Sequence, residues 1–360
     1  MMRHAITRRL SRSLEPLESR RLLTVDVEVD NGDLIVSGTA DGAVEITATA
    51  DAGSFQVIDK GVLVETATGV DRNIRVSLDE DGTAIDKLTL SLGTQAIDRV
   101  MVDLGGGDNT FILQDGTVAK SLVYKGGDGD DSVTIATGAA VSQNVYANLG
   151  DGDDSLFLEG TISRNLYVKG GDGDDSVDMV SGALVERNVV LTLGDGDNHV
   201  SIGGEIGRSL LVRGGIDDDT VELLAGAQIG GSALVSLGEG DNQLINAAGI
   251  EHNLAYDGRD GNDDVQITSD AIVGGSVRVR LGDGDNTFTH DGDIERNLFV
   301  TSENENDTAT VADTAIVGGE TRIALGEQHN GFHRFEHGPP EGVANLARGF
   351  VGGLGRGLRR

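Results

Sequence analysis

The chain has 360 residues, with 54 Gly, 3 Pro, no Trp and an aromatic fraction of 3%, a composition that favours tight turns and β-branched ladders over long helices or a large globular interior. Its formal net charge of -32 would repel phosphate backbones, which argues against nucleic acid as a partner and for cations. The absence of Cys removes disulfides and thiolate chemistry, and no apolar run approaches the roughly 20 residues of a transmembrane helix.

Residues 1–24 hold six Arg against two Glu and lack the apolar centre of a secretory signal. Residues 25–98 alternate apolar and polar side chains in "DLIVSG", "AVEITATA" and "KLTLSLG", with only a faint acidic turn, "DEDGT", at 79. This region is expected to be β-rich, as degenerate first coils or as a small capping subdomain. A cap is needed because an uncovered terminal coil exposes strand edges.

Residues 99–335 are dominated by a repeat. An acidic turn recurs as "LGGGDN" at 104, "GGDGDD" at 126, "LGDGDD" at 149, "GGDGDD" at 170, "LGDGDN" at 193 and "GGIDDD" at 214. It continues as "LGEGDN" at 237, "GRDGND" at 258, "LGDGDN" at 281, "SENEND" at 302 and "LGEQHN" at 325. After a first spacing of 22, the intervals alternate between 23 and 21, so the unit is 44 residues made of two unequal coils.

Within each coil, period-two alternation marks strands: Leu166 and Val168 before a turn, Val177 and Met179 after it, then Val189, Leu191 and Leu193. Ile162, Ile206, Ile250 and Ile294 mark a third short strand and corner. Units this small bury their apolar side only by stacking, so the expected fold is all-β: a parallel β-helix, or β-solenoid, of about eleven coils with an N-terminal β-rich cap. At about 4.8 Å per coil the rod is on the order of 50 Å long. Equivalent residues then superpose, and Asn144, Asn165 and Asn188 either form an amide ladder or serve only to shape the corner.

"GGDGDDSVT" at 126 and "GGDGDDSVD" at 170 fit the nine-residue pattern GGxGxDxUx, and "GDGDDSL" at 150 fits from its second position. These turns resemble the calcium-binding repeats of the RTX, or hemolysin-type, secreted proteins. The resemblance implies that backbone carbonyls and the sixth-position carboxylates Asp131, Asp154, Asp175, Asp219 and Asp263 hold Ca²⁺ between coils. The chain departs from that family in having one turn per coil of about 22 residues, and in placing Asn109, Asn198, Asn242 and Asn286 at alternate sixth positions.

Electrostatics points to a cation separately: like charges stacked about 4.8 Å apart repel by roughly 0.9 kcal/mol per pair even in water. The candidate ligand set therefore adds Asp128, Asp130, Asp151, Asp153, Asp172, Asp174, Asp195, Asp197, Asp241, Asp283 and Asp285 to the five sixth-position residues. The alternative is that Gly-Asp turns are simply good turns with their side chains in water.

At the N-terminus, "LEPLESRRLLT" resembles the LEPR-XLL motif of bacterial surface and secreted proteins through Leu17, Glu18, Arg20, Arg21, Leu22 and Leu23, with Ser19 in place of the usual Pro. The resemblance implies an extracellular or cell-surface destination. At the other end, His329, His333 and His337 have helical spacing, but "GPP" at 338 limits any helix, and residues 336–360 read as a basic Gly-rich tail.

The expected function is that of a non-enzymatic, calcium-binding structural or adhesive rod, folding as it meets calcium outside the cell. Its expected partners are calcium, a cell-surface polysaccharide or envelope proteins, and other copies through the solenoid ends. The alternative is a secreted carbohydrate-active enzyme of the polysaccharide-lyase type, in which Lys125 or Lys169 would mimic the base; against that stands their reading as stacked surface lysines.

Overall fold

The computed structural model describes residues 25–39, 42–78, 86–304 and 306–326, and every regular element among them is a β-strand. Each coil from Val145 to Val317 is built from three strands, while in the two coils before it the second and third are continuous, as Thr110–Val118 and Ser132–Val141. A typical one runs Val145–Asn148, then the acidic turn, then Ser155–Leu158, then the two-residue strand Thr161–Ile162. Equivalent strands of successive coils pair parallel and in register, as in Val145↔Leu166, Leu156↔Val177 and Ile162↔Val185. The first strands of the coils belong to one fourteen-stranded sheet, which the N-terminal region begins. From Arg99–Asp103 to Thr321–Ala324 that sheet contains eleven parallel strands, so the expected β-solenoid of about eleven coils is what the chain forms.

Alternation decides the core. Val145, Ala147, Leu156, Leu158 and Ile162 are buried while the residues between them face outward, and stacking extends these positions into continuous apolar columns. The buried residues form a single cluster from Val25 to Leu325. The Asn corner forms an amide ladder: Nδ2 of Asn165 donates to Oδ1 of Asn144 at 3.0 Å, and Nδ2 of Asn188 to Oδ1 of Asn165 at 2.9 Å.

Residues 25–98 share features of both expected forms. Asp33–Gly38 pairs parallel with Asn73–Ser77, which pairs parallel with Arg99–Asp103, so this region continues the first sheet. Among the described residues antiparallel pairing is confined to this end. Val25–Asp30 folds back on Asp33–Gly38, while Gly42–Ala48, Ser54–Asp59 and Val62–Thr68 make a meander. The terminal parallel strand is thereby covered by chain running the other way.

The turn "DEDGT", the sorting-type segment 1–24, the histidines 329, 333 and 337, and the tail 336–360 lie outside the described residues.

Candidate functional site: the acidic turn edge

The six-residue turns stack at one corner of the solenoid, and their chemistry differs by position. Third-position carboxylates Asp128, Asp151, Asp172, Asp195 and Asp283 are exposed, as are fifth-position Asp130, Asp153, Asp174, Asp197, Asp241 and Asp285. Asp128 and Asp151 face each other across a parallel bridge, and Asp172 pairs with Asp195. Sixth-position residues, by contrast, are inside. Asp131, Asp154, Asp175, Asp219 and Asp263 are at most 2% exposed, and so are Asn109, Asn198, Asn242 and Asn286.

The inner side chains form a ladder of ten hydrogen bonds. The backbone N–H of Asp131 donates to Oδ1 of Asp154 at 2.7 Å, that of Asp154 to Asp175 at 3.1 Å, and that of Asp175 to Asn198 at 2.9 Å. The same bond continues from Asp86, which donates to Asn109, through to Asn286, which donates to Asp307 at 2.6 Å. A second ladder, on the exposed fifth position, runs the opposite way. The N–H of Asp153 donates back to Oδ1 of Asp130 at 2.9 Å, Asp174 to Asp153 at 2.9 Å, and Asp197 to Asp174 at 2.8 Å. Each coil is thus tied forward by its sixth residue and backward by its fifth. At about 1 kcal/mol net per bond, the two ladders add about 2 kcal/mol to a coil interface, beside the strand pairing and the stacked apolar core.

The alternation of Asp and Asn along the inner ladder has a local cause. Turns that begin with Leu carry Asn, whose Nδ2 donates to the fourth-position carbonyl: Asn109 to Gly107 at 2.8 Å, Asn198 to Gly196 at 2.9 Å and Asn242 to Gly240 at 3.0 Å. Turns that begin with Gly carry Asp, and in two of them its second oxygen accepts instead. Oδ2 of Asp175 takes the N–H of Gly171 at 3.1 Å, and Oδ2 of Asp131 takes the hydroxyl of Tyr124 at 2.9 Å.

The first-position glycine makes room for that carboxylate. A Cβ on Gly170 would lie 1.8 Å from Oδ2 of Asp175 and 2.3 Å from the carbonyl oxygen of Leu193. Gly170→Ala is therefore expected to lower stability by about 2–4 kcal/mol in urea unfolding, by overpacking a buried polar contact. At the fourth position the backbone is left-handed, at φ 127° for Gly173, and Asp217 holds φ 83° where the glycine is missing.

Asp154 breaks the rule. It follows a Leu-type turn, where its counterparts are Asn, so it presents an oxygen where they present an amide donor. Its Oδ1 accepts the N–H of Asp131, but its Oδ2 has no hydrogen-bond partner among the described residues. Burial, reinforced by the carboxylates of Asp175, Asp131 and Asp130, pushes its pKa up to about 7. Burial also raises Asp219 to about 7, and Asp175 and Asp263 to about 6.

Among the described residues no three or more His, Asp or Glu side chains gather into a group suited to a metal ion. Hard oxygens that an incoming cation meets without rearrangement are those of the exposed third and fifth positions. The five sixth-position carboxylates are enclosed, and each gives its first oxygen to a backbone N–H of the preceding coil. The inner ladder was not anticipated from the motif, although the pairing of Leu-type turns with Asn and Gly-type turns with Asp was visible in the repeat.

No family model matches the chain, and neither the curated proteins nor the solved structures contain a match.

Proposed function

We propose that the chain is a structural or adhesive β-solenoid of the bacterial cell surface or exterior, stiffened by calcium along its acidic edge. The observation that carries this reading is the stacking of third- and fifth-position carboxylates into two exposed columns at the coil-to-coil spacing. Calcium accepts six to eight oxygens in flexible geometry, so carboxylates of neighbouring coils together with water suffice to hold it. The residues assigned to it are Asp128, Asp130, Asp151, Asp153, Asp172, Asp174, Asp195, Asp197, Asp241, Asp283 and Asp285.

The buried Asp131, Asp154, Asp175, Asp219 and Asp263 act chiefly as ladder acceptors in this reading. Calcium then adds to a rod whose coils are already hydrogen-bonded, by cancelling the repulsion along its edge. The extracellular assignment is supported by the resemblance of the segment Leu14 to Thr24 to a surface-protein motif.

Thermal unfolding in calcium and in chelator tests the proposal. With sites in the millimolar class typical of extracellular modules, about 10 mM Ca²⁺ contributes about 1.4 kcal/mol per site. The melting temperature is expected to rise with Ca²⁺ and to rise less with Mg²⁺, which gives up its water reluctantly. Identical melts in calcium and chelator would sink the calcium reading.

A further inference from the structure

On an acidic protein, one flank is basic. Every Lys and Arg between residues 122 and 213 lies on the outer surface of the first sheet or at the corner that leads into it: Lys125, Arg164, Lys169, Arg187, Arg208 and Arg213. Strand register places Lys125, Asn148, Lys169, Thr192 and Arg213 in one column. A cation therefore recurs every second coil, about 10 Å apart. At the corner, Arg164, Arg187 and Arg208 stack directly, the N–H of each donating to the carbonyl of the one before. Only Lys125 has an ion-pair partner among the described residues, Asp103 at 3.1 Å, and the one acidic side chain in the corner rows from 163 to 209 is Glu186.

Between the two basic rows run hydrogen-bonding and aromatic columns. The Asn144, Asn165 and Asn188 ladder borders them, and Nδ2 of Asn144 donates to the hydroxyl of Tyr146 at 3.1 Å. Tyr146 and Tyr167 stack with ring centroids 5.1 Å apart and planes 5° from parallel, and Tyr146 remains 42% exposed. Their faces are turned to each other, so edges and hydroxyls are what they offer a ligand. Beside them lies a shallow depression of about 550 Å³, lined by Tyr146, Tyr167, Lys125, Asn148, Lys169 and Thr192 among others.

We propose that this flank binds an extended acidic polysaccharide, a sugar chain bearing uronate carboxylates, laid along the rod axis. The proposal deepens the adhesive part of the function above and is independent of calcium. Cations at a regular axial interval match a polymer with regularly spaced carboxylates. Amides and phenolic hydroxyls between them match sugar hydroxyls, and an open depression admits a chain with no defined end. The competing occupant is the acidic edge of a second copy. The net charge of -32 repels both occupants, but a second copy meets it over a broad acidic face, whereas a single sugar chain lies within a screening length of the basic rows along its docked stretch.

The test is binding of the purified full chain to immobilised polygalacturonate and to neutral dextran, in chelator at about 50 mM salt, where charge attraction is little screened. Far-UV circular dichroism in the same buffer reports the fold, and the assay is repeated in calcium if the rod is unfolded without it. Polygalacturonate is expected to bind and dextran to fail. The double variant Lys169→Glu, Arg213→Glu is expected to weaken binding by about tenfold or more. Tyr146→Ala is expected to weaken it less, while Lys87→Glu, away from the flank, leaves it unchanged.

Equal binding to dextran, or a double variant that binds like the parent, overturns the proposal. So does sedimentation that shows self-association abolished in the double variant while polygalacturonate fails to compete, because the flank then belongs to a second copy. Failure of the calcium reading shows separately, as melts insensitive to Ca²⁺.

Discussion

At pH 8, Asp154→Asn is expected to be more stable than the parent chain by about 2–4 kcal/mol, and at pH 4 the two are expected to be nearly equal. The sign follows from the buried carboxyl. Its folded pKa, pushed up to about 7, lies above the ordinary carboxylate value of 3.8, so the folded state holds its proton more tightly than the unfolded chain does. The stability associated with that proton is fully present below about 3.8 and is lost as pH rises through about 7.

Asn removes the titration and supplies the donor that the Leu-type turns otherwise have, as Asn198 and Asn242 do toward Gly196 and Gly240. Urea unfolding at both pH values, in chelator, measures the difference. A gain of the same size at both would mean that ionisation of Asp154 is not its cause. Asp219, Asp175 and Asp263 are raised by the same burial, so the parent chain should also lose stability as pH rises from about 4 to 7.

Asn198→Ala is expected to cost about 3–5 kcal/mol, and to cost the same in calcium as in chelator. The amide accepts the N–H of Asp175 at 2.9 Å, and its Nδ2 donates to the carbonyl of Gly196 at 2.9 Å and to Oδ1 of Asp219 at 2.9 Å. Alanine leaves the N–H of Asp175 unpaired beside a residue only 1% exposed and removes the amide bonds to Gly196 and Asp219, although Oδ1 of Asp219 keeps the backbone N–H of residue 198. The unfolding free energy in the two buffers separates the roles of the columns. Equal losses mean that the sixth position is a structural acceptor, whereas a loss that appears only with calcium would make it part of an ion site. Substitution of exposed Asp153 by Asn is the converse case, since the amide oxygen retains the bond from Asp174 and only charge is removed.

The repeat made the stacking legible. Intervals of 21 and 23 residues, strands of period two, and Ile162, Ile206, Ile250 and Ile294 in equivalent places leave little choice but coils that share one core, because no coil of that size can bury its apolar side alone. The N-terminal region was less legible. Antiparallel hairpins and parallel coils have the same alternation, and only pairing partners distinguish Ser54–Asp59 from Asn73–Ser77. The turn carboxylates were legible as a set but not by role. Asp130 and Asp131 are adjacent in sequence and identical in type, yet one is exposed and accepts an N–H from the coil after it, while the other is buried and accepts from the coil before.

That last distinction marks the boundary between the two levels. The sequence by itself determined the coil length, the parallel register and the side of each strand that faces inward, since these follow from periodicity and from the cost of exposing apolar surface. Only the tertiary structure decided which carboxylates meet water and which meet backbone N–H groups, and that Tyr146 and Tyr167 stack ring on ring beside the column of Lys125, Lys169 and Arg213. The physical reason is that both depend on neighbours 21 to 23 residues away, brought about 4.8 Å apart by stacking, where hydrogen bonds and charges act through space.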